Sequence, residues 1–573
     1  MDMPTQSAVK RPEPTFVELF TPKLVTILRE GYGWAELRAD AIAGLTVAIV
    51  ALPLSMAIAI GSGLSPDKGL FTAIVGGFII SALGGSRFQI GGPAGAFIVL
   101  IASIVERHGY DGLVLATIMG GLMMIAVGFL RLGTYIRYIP FPVTVGFTSG
   151  IAVIIFASQL KELLGLDLVK EPAELIPKLG AIWGSIGTIK PLTVAVSALA
   201  LGLILGLKHI RPKWPGLLIT IAVTAALTAL FHLDIATVGS RFGGIPQGLP
   251  WPSLPVLDLA KMRAVFPDAV TIALLGAVES LLSAVVADGM TGRKHRSNCE
   301  LVAQGIGNIA AVTFSGMCVT GTIARTATNV RAGAHGPVAG LLHAVYILLF
   351  MLVAAPLASY IPLSALGAVL AIVAWNMAER AEFAGLLRAS RGDAAVLLAT
   401  FALTIFADLM TAIATGVVLG AFLFMHRMAE AVEVDGGGHS AIRDEADATG
   451  AARSAYEPGD GEVMVYRISG AFFFGATAAV SSVLDRIGER PKIFVLDFAD
   501  VPLIDSTAAK ALETFVHKLR AGGTVVLFAG ARVSVRRTLL AAGLRPPLVG
   551  YAGTVEDAVE QGRHGVPSGG AAA

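Results

Sequence analysis

Residues 84–97 read GGSRFQIGGPAGAF, and residues 315–328 read SGMCVTGTIARTAT. Each stretch combines small residues, a short run able to extend, and a Gly-containing start to a half-length apolar segment. Each also follows two conventional apolar segments, the first pair in its half of the chain. Matching interruptions of this kind are the mark of a membrane protein built from two inverted halves, whose broken helices meet near the bilayer midplane.

The sequence around them supports that class. Of 573 residues, 55% are hydrophobic and 15% charged, and mean hydropathy is +0.74. Soluble domains carry about 25% charged residues. The apolar residues fall in runs of roughly 20, enough to cross a bilayer core. We place spans near 41–61, 67–83, 94–106, 112–130, 141–160, 190–208, 214–231, 268–290, 298–315, 322–332, 336–357, 363–378, 393–407 and 409–427. The third and tenth are too short to cross alone. A net charge of +2 gives no reason to expect nucleic acid as a partner. Cys299 and Cys318 lie in apolar or small-residue segments and imply no disulfide framework. No metal-ligand spacing, P-loop or catalytic triad is present, so no cofactor and no enzyme activity is expected.

Basic residues orient the layout. With the N-terminus in the cytoplasm, inward loops hold Arg87, Arg131, Arg137, Lys208, Arg211, Lys213, Arg293, Lys294, Arg296, Arg331, Arg380, Arg388, Arg391 and Arg427. Outward loops hold Lys68, Arg107 and scattered basic residues diluted by acidic ones, as the positive-inside rule requires.

Five regions are expected: an N-terminal cytoplasmic segment (1–40) with an amphipathic stretch at Phe16–Leu28, a transmembrane transporter domain (41–430), a flexible linker (431–460), a soluble α/β domain (461–562) and a disordered tail (563–573). No cleavable signal peptide is seen. In the soluble region, EVMVYRISG, KIFVLDFADV and TVVLFAG read as strands. TAAVSSVLDRI and STAAKALETFVHKLRAGG read as helices, the second ending at Gly-Gly.

A helix that starts inside the membrane presents unpaired N–H groups and the positive end of its dipole. Pro93 suits a first helical turn, Gly92 and Gly95 allow close approach of a ligand, and Thr320, Gly321 and Thr322 are placed to begin the second half-helix. Two such N-termini facing each other would receive an anion. Arg325, in the first turn of the tenth span, adds positive charge at depth or pairs with a carboxylate; the competing reading is a side chain that snorkels to the cytoplasmic edge. Glu279 is the one carboxylate near the middle of a long span. Taken from water it is costly as an anion, which makes it a candidate proton-coupling group; the alternative is a static pair with Arg325. Ser283 lies one turn further on the same face. Glu300, Gln304 and Asn308 form a stripe expected to pack between helices or to meet the basic RKHR loop.

Four motifs, ALPLSMAIAIGSGLSPDKGL, GSRFQIGGPAGAF, NCELVAQGIGN and TGTIARTATN, in this order resemble the SulP anion permease family, and IDSTAAKAL resembles the loop-to-helix signature of the STAS domain. The resemblance covers about residues 35–562. It implies fourteen spans as two inverted seven-span repeats, an all-α membrane domain divided into core and gate, followed by a cytoplasmic α/β STAS domain, in a homodimer. It implies a substrate held between spans 1, 3, 8 and 10 and moved by an elevator-like displacement of the core. Site residues carried over are Leu54, Ile58, Ala94, Gly95, Ala324 and Arg325 for substrate, joined by Thr322 and Ile323 at the start of the second half-helix, and Glu279, which is similar to the proton-coupled branch. Ser506, after Asp505, corresponds to the phosphorylated serine of anti-sigma-factor antagonists and is a candidate regulatory phosphosite, although either residue also serves as a helix cap. The expected function is proton-coupled transport of sulfate, bicarbonate or a dicarboxylate across the cytoplasmic membrane. The alternatives are an exchanger, a channel-like member, a sodium-coupled bicarbonate transporter and a nucleobase permease on a shared plan.

Overall fold

The computed structural model describes residues 15–168, 172, 174–211, 214–256, 258–430, 433–435, 463–473 and 491–564. Two compact units divide between Val417 and Val418.

All fourteen expected spans appear among the described residues. Span 1 is Trp34–Gly61, and span 2 is Pro66–Leu83, interrupted by a π turn at Thr72–Gly76. Spans 3 and 4 (98–108 and 110–129) are separated by Gly109 alone, which takes φ 70° and ψ −179°, a conformation that ends a helix. Spans 5, 6 and 7 are Phe141–Leu164, Pro191–Ile210 and Gly216–Phe231. In the second half, spans 8 to 14 are Phe266–Thr291, Ser297–Thr313, Ile323–Arg331, Val338–Ala358, Leu363–Met377, Arg391–Phe406 and Leu409–Glu430. Short helices at Leu175–Gly184, Val238–Phe242, Leu259–Ala264 and Arg380–Ala389 occupy connections in which no helix was expected.

Packing sorts the spans into two groups. Spans 1–4 pack with 8–11 as a core set; span 5 packs on 12 and 13, and span 6 on 7 and 12, as a gate set. Small residues bring the core helices together. At the crossing of spans 4 and 9, a Cβ on Gly305 would lie 2.4 Å from the Gly121 carbonyl oxygen, so the two backbones are in direct contact.

The amphipathic N-terminal stretch forms two helices, Phe16–Phe20 and Lys23–Glu30. They dock on the core set: Lys23 N–H donates to the Gly84 carbonyl (2.9 Å), Arg296 Nη1 donates to the Thr21 carbonyl and Thr26 Oγ1 (2.6 and 3.0 Å), and Glu30 pairs with Arg87. The hydrogen bond from Arg87 holds the Glu30 carboxyl below its ordinary range.

The second unit contains a five-stranded sheet. Its order is β3 (Glu433–Asp435), β4 (Val463–Ser469), β5 (Ile493–Asp497), β6 (Val525–Ala529) and β7 (Gly550–Ala552), with β3 antiparallel and the others parallel. Its core includes Phe472, Phe494, Phe498, Phe515 and Phe528. The three longer strands and the helix Ser506–Ala521, stopped at Gly522 and Gly523, lie where the sequence places them. Strand β3 falls inside the stretch read as linker, and β7 was not expected: at three residues each, neither shows an alternation that can be read. The expected helix 477–487, the remainder of the linker and the tail from 565 lie outside the described residues.

Candidate functional site

The two interrupted segments meet. Gly91–Gly92 (β1) pairs antiparallel with Thr320–Gly321 (β2), Gly91 opposite Gly321 and Gly92 opposite Thr320. Extended backbone at membrane depth must find its hydrogen bonds within the protein, and span 10 supplies several of them. Thr322 N–H donates to the Ile90 carbonyl (3.1 Å), Ile90 N–H to Thr326 Oγ1 (3.2 Å), and Asn329 Nδ2 to the Phe88 carbonyl (2.9 Å). Thr320 Oγ1 donates to the Gly276 carbonyl on span 8 (3.2 Å), and Ser283 Oγ to Thr326 Oγ1 (3.0 Å). The π turn of span 2 contributes Thr72, whose Oγ1 accepts from Met317 N–H at 2.7 Å.

Beyond the pairing, each segment turns into its helix. A 3-10 turn at Gly95–Phe97, capped by Ala94, leads into span 3, and Thr322 caps span 10. Neither cap offers a side-chain oxygen to the first-turn amides, so both helix starts keep free N–H donors and the positive dipole end. Two details differ from the sequence reading. Pro93 precedes the helix instead of opening it, and Thr320–Gly321 are strand, with the helix beginning at Ile323.

Arg325 does not snorkel. It is 2% exposed, and its Nη2 donates to Ser55 Oγ on span 1 (3.1 Å) and to the Pro93 carbonyl (3.2 Å). Gly92 lies beneath the guanidinium: a Cβ there would come 1.7 Å from Nη1. The glycine read as an approach for ligand thus makes room for arginine. Among the described residues no carboxylate lies within ion-pair distance of Arg325. The static pair with Glu279 does not form. Glu279 is half-buried and its Oε2 has no hydrogen-bond partner.

The other expected site residues differ in access. Ile323 (37% exposed) and Ala324 are open, and Gly95 is partly so, with Met377 Sδ 2.9 Å from where its Cβ would stand. Leu54, Ile58, Ala94 and Thr322 are buried; the first three belong to the apolar cluster behind the crossing and form its wall. A cavity of about 820 Å³ opens between the core and gate sets, lined by Val99, Leu100 and Ser103 of span 3, Thr271 of span 8 and Thr404 of span 13. At its rim Arg107 Nη2 donates to Asp268 Oδ1 at 2.8 Å.

The stripe on span 9 fastens both crossing segments. Glu300 Oε2 accepts from the N–H groups of Gly85 and Ser86 (2.8 and 3.0 Å), and Oε1 from Gln89 and Gln304 (3.0 and 2.9 Å). Asn308 Nδ2 donates to the Val319 carbonyl (2.7 Å), and its Oδ1 accepts from Val319 N–H (3.0 Å). The basic loop is held elsewhere, His295 by Asp288. Ser55, Gln89, Thr326 and Asn329 were not singled out from sequence, and no one local signal marks all four: Gln89 lies two residues before Gly91, but Thr326 is five from Gly321 and Ser55 sits inside the unbroken helix of span 1. In the second unit Ser506 is exposed at the first position of its helix, and Asp505 is the cap, accepting from Ala508 N–H at 2.8 Å.

Comparison with known proteins agrees with this geometry. Residues 37–400 match the Sulfate permease family and residues 457–560 the STAS domain. A Bacillus subtilis (strain 168) protein named "Putative sulfate transporter YvdB" is 40% identical over 90% of this chain and 95% of its own length. The "Bicarbonate transporter BicA" of a Synechocystis strain is 32% identical over 88% of this chain and 90% of its own. The solved structure of the murine Solute Carrier 26 family member A9 anion transporter, in its inward-facing state, superposes with a TM-score of 0.83 at 16% identity, covering 98% of this chain and 97% of that one.

Proposed function

The chain belongs to the sulfate permease family of multi-pass anion transporters, which are not enzymes, and on that premise we propose that it is a secondary active carrier for sulfate or bicarbonate, driven by protons. The observation that carries the reading is Arg325: a guanidinium buried beside two open helix starts and, among the described residues, offset by no carboxylate within ion-pair distance. A site of this charge recognises an anion through Coulombic attraction and backbone donors. The exposed first turn of span 10 and the partly exposed Gly95 are where the anion would rest, with Leu54, Ile58, Ala94 and Thr322 as the wall.

Glu279 is the coupling group in this reading. Ionised, it lowers the local positive potential; protonated, it restores it, so proton and anion load together. The core set would carry both across the gate set by an elevator-like displacement, in a homodimer in the cytoplasmic membrane with the N-terminus and the STAS domain on the cytoplasmic side. Sulfate and bicarbonate stand first among candidate anions because relatives are named for them; C4-dicarboxylates also fit the charge. Phosphorylation at the exposed Ser506 would regulate the carrier from the STAS domain.

The test is uptake by proteoliposomes of sulfate, bicarbonate and fumarate, each driven by a pH gradient or a sodium gradient. Saturable uptake of one anion driven by the pH gradient is expected. Sodium-driven uptake would replace the proton with sodium, exchange without either gradient would make the protein an exchanger, and large unitary currents would make it a channel.

A further inference from the structure

The helix start at Gly95 is covered from the gate set. A Cβ on Gly95 would stand 2.9 Å from Met377 Sδ, 3.7 Å from its Cε and 3.9 Å from Ile155 Cδ1. Met377 is the last residue of span 12, and Ile155, fully buried, lies on span 5. Two gate side chains, both apolar, thus pack over the turn whose free N–H donors open span 3.

Met377 is held in this place by the end of its own helix. The 15 residues of span 12 rise about 22 Å, less than the roughly 30 Å of bilayer core, so the helix stops at membrane depth. Backbone freed there must be satisfied inside the protein. Ala378 N–H donates to the Ala374 carbonyl (3.1 Å), and the Ala378 carbonyl accepts from Ser149 Oγ on span 5 (2.8 Å). Glu379 then takes φ 39°, a left-handed conformation unfavourable for a residue with a side chain, and the Arg380 guanidinium lies 3.9 Å from the centroid of the Trp375 ring. With the backbone pinned on both sides of Met377, motion at this point is left to its side chain.

We propose that Met377 is a specificity-determining residue: with Ile155 it forms the gate-side wall of the anion site and restricts that site to compact oxyanions such as bicarbonate and sulfate, excluding C4-dicarboxylates. This rests on the anion reading of Gly95 and Arg325. A compact oxyanion satisfies its charge at the helix starts and Arg325 alone. A C4-dicarboxylate held there by one carboxylate carries a second several bonds away, and on the gate side that group meets a thioether and an isoleucine. Neither donates a hydrogen bond, and a carboxylate taken from water without a partner is costly. The choice of methionine follows. Lysine or arginine at 377 would hold an anion between core and gate sets, and a carboxylate would repel it from the helix start. Methionine does neither, and its unbranched side chain can turn aside as the anion enters. Gly95 is the matching device on the core set, since any side chain there would displace the thioether.

The experiment compares uptake of labelled sulfate, bicarbonate and fumarate by the purified full-length protein in proteoliposomes. Wild type is expected to prefer sulfate or bicarbonate to fumarate. Met377→Lys supplies a donor to the second carboxylate, and Met377→Ala opens the wall to water. Each is expected to raise kcat/KM for fumarate, relative to the better of the two oxyanions, by about tenfold or more. Met377→Leu, close in volume and equally apolar, should leave that ratio within about threefold of wild type. A merely structural role for Met377 would lower all three rates together and leave their ratio where it is. If Met377→Lys does not fold, the Ala variant decides. An unchanged ratio in the variants that fold overturns the inference, as does fumarate as the preferred anion of the wild type; in either case, uptake lost in Arg325→Ala leaves the anion reading standing. Wild-type protein that takes up none of the three overturns both.

Discussion

Arg325 lies across Gly92. The glycine is on the first crossing segment and the arginine on the second, and a methyl group on Gly92 would stand 1.7 Å from Nη1. The arrangement is reciprocal: the Gln89 side chain, from the first segment, lies across Gly321 of the second, where a Cβ would come 1.8 Å from Nε2. Each segment thus provides the space that the other's polar side chain fills.

Gly92→Ala should displace the guanidinium from Ser55 and Pro93 while leaving the fold intact. Charge-assisted hydrogen bonds are worth about 1.5–3 kcal/mol each, so anion affinity should fall roughly 10- to 100-fold. A binding isotherm in detergent checks this; an unchanged Kd would remove Gly92 from the site.

Arg325→Ala should abolish anion binding, and Arg325→Lys should recover only part of it. Lysine keeps the charge but lacks the planar fork that reaches Ser55 Oγ and the Pro93 carbonyl together. Equal Kd values for Lys and wild type would mean that charge alone suffices.

Glu279→Gln should keep anion binding and lose the response of uptake to a pH gradient, since its amide cannot cycle a proton. Counterflow in proteoliposomes separates the two effects. Gradient-driven uptake that survives in the variant would place coupling elsewhere.

Glu300→Ala should destabilise the core set without touching the anion. Four neutral donors converge on this buried carboxylate, and each buried donor left without its acceptor costs about 1–3 kcal/mol. A thermal-shift scan should read a clear fall in Tm. Glu300→Gln should also fall, because its amide nitrogen would face N–H donors at one position.

The membrane spans were legible because an apolar run near 20 residues long has few alternatives in folding. The breaks were legible because glycine and proline interrupt those runs, and Arg325 because a charge at depth stands out from its surroundings. Other parts left little trace. Ser55 looks like an isolated polar residue on an apolar helix, and its meaning depends on Arg325, 270 residues away in the chain. The purpose of Gly92 was misread for the same reason: local sequence says that something approaches closely, and only tertiary packing says that it is an arginine. Strands β3 and β7 and the helix Val238–Phe242 are too short for periodicity to exceed noise.

The mutual seating of Gln89 and Arg325 has a mechanical consequence. Neither crossing segment can slide or tilt without driving a side chain into the backbone of the other, so the two inverted halves are keyed together at their centre. Whatever displacement carries cargo between the two faces of the membrane must therefore carry the keyed pair as a single piece. In the proposed elevator-like displacement the surface that slips would lie outside it, where span 3 and span 8 look across the cavity toward the opposing helices.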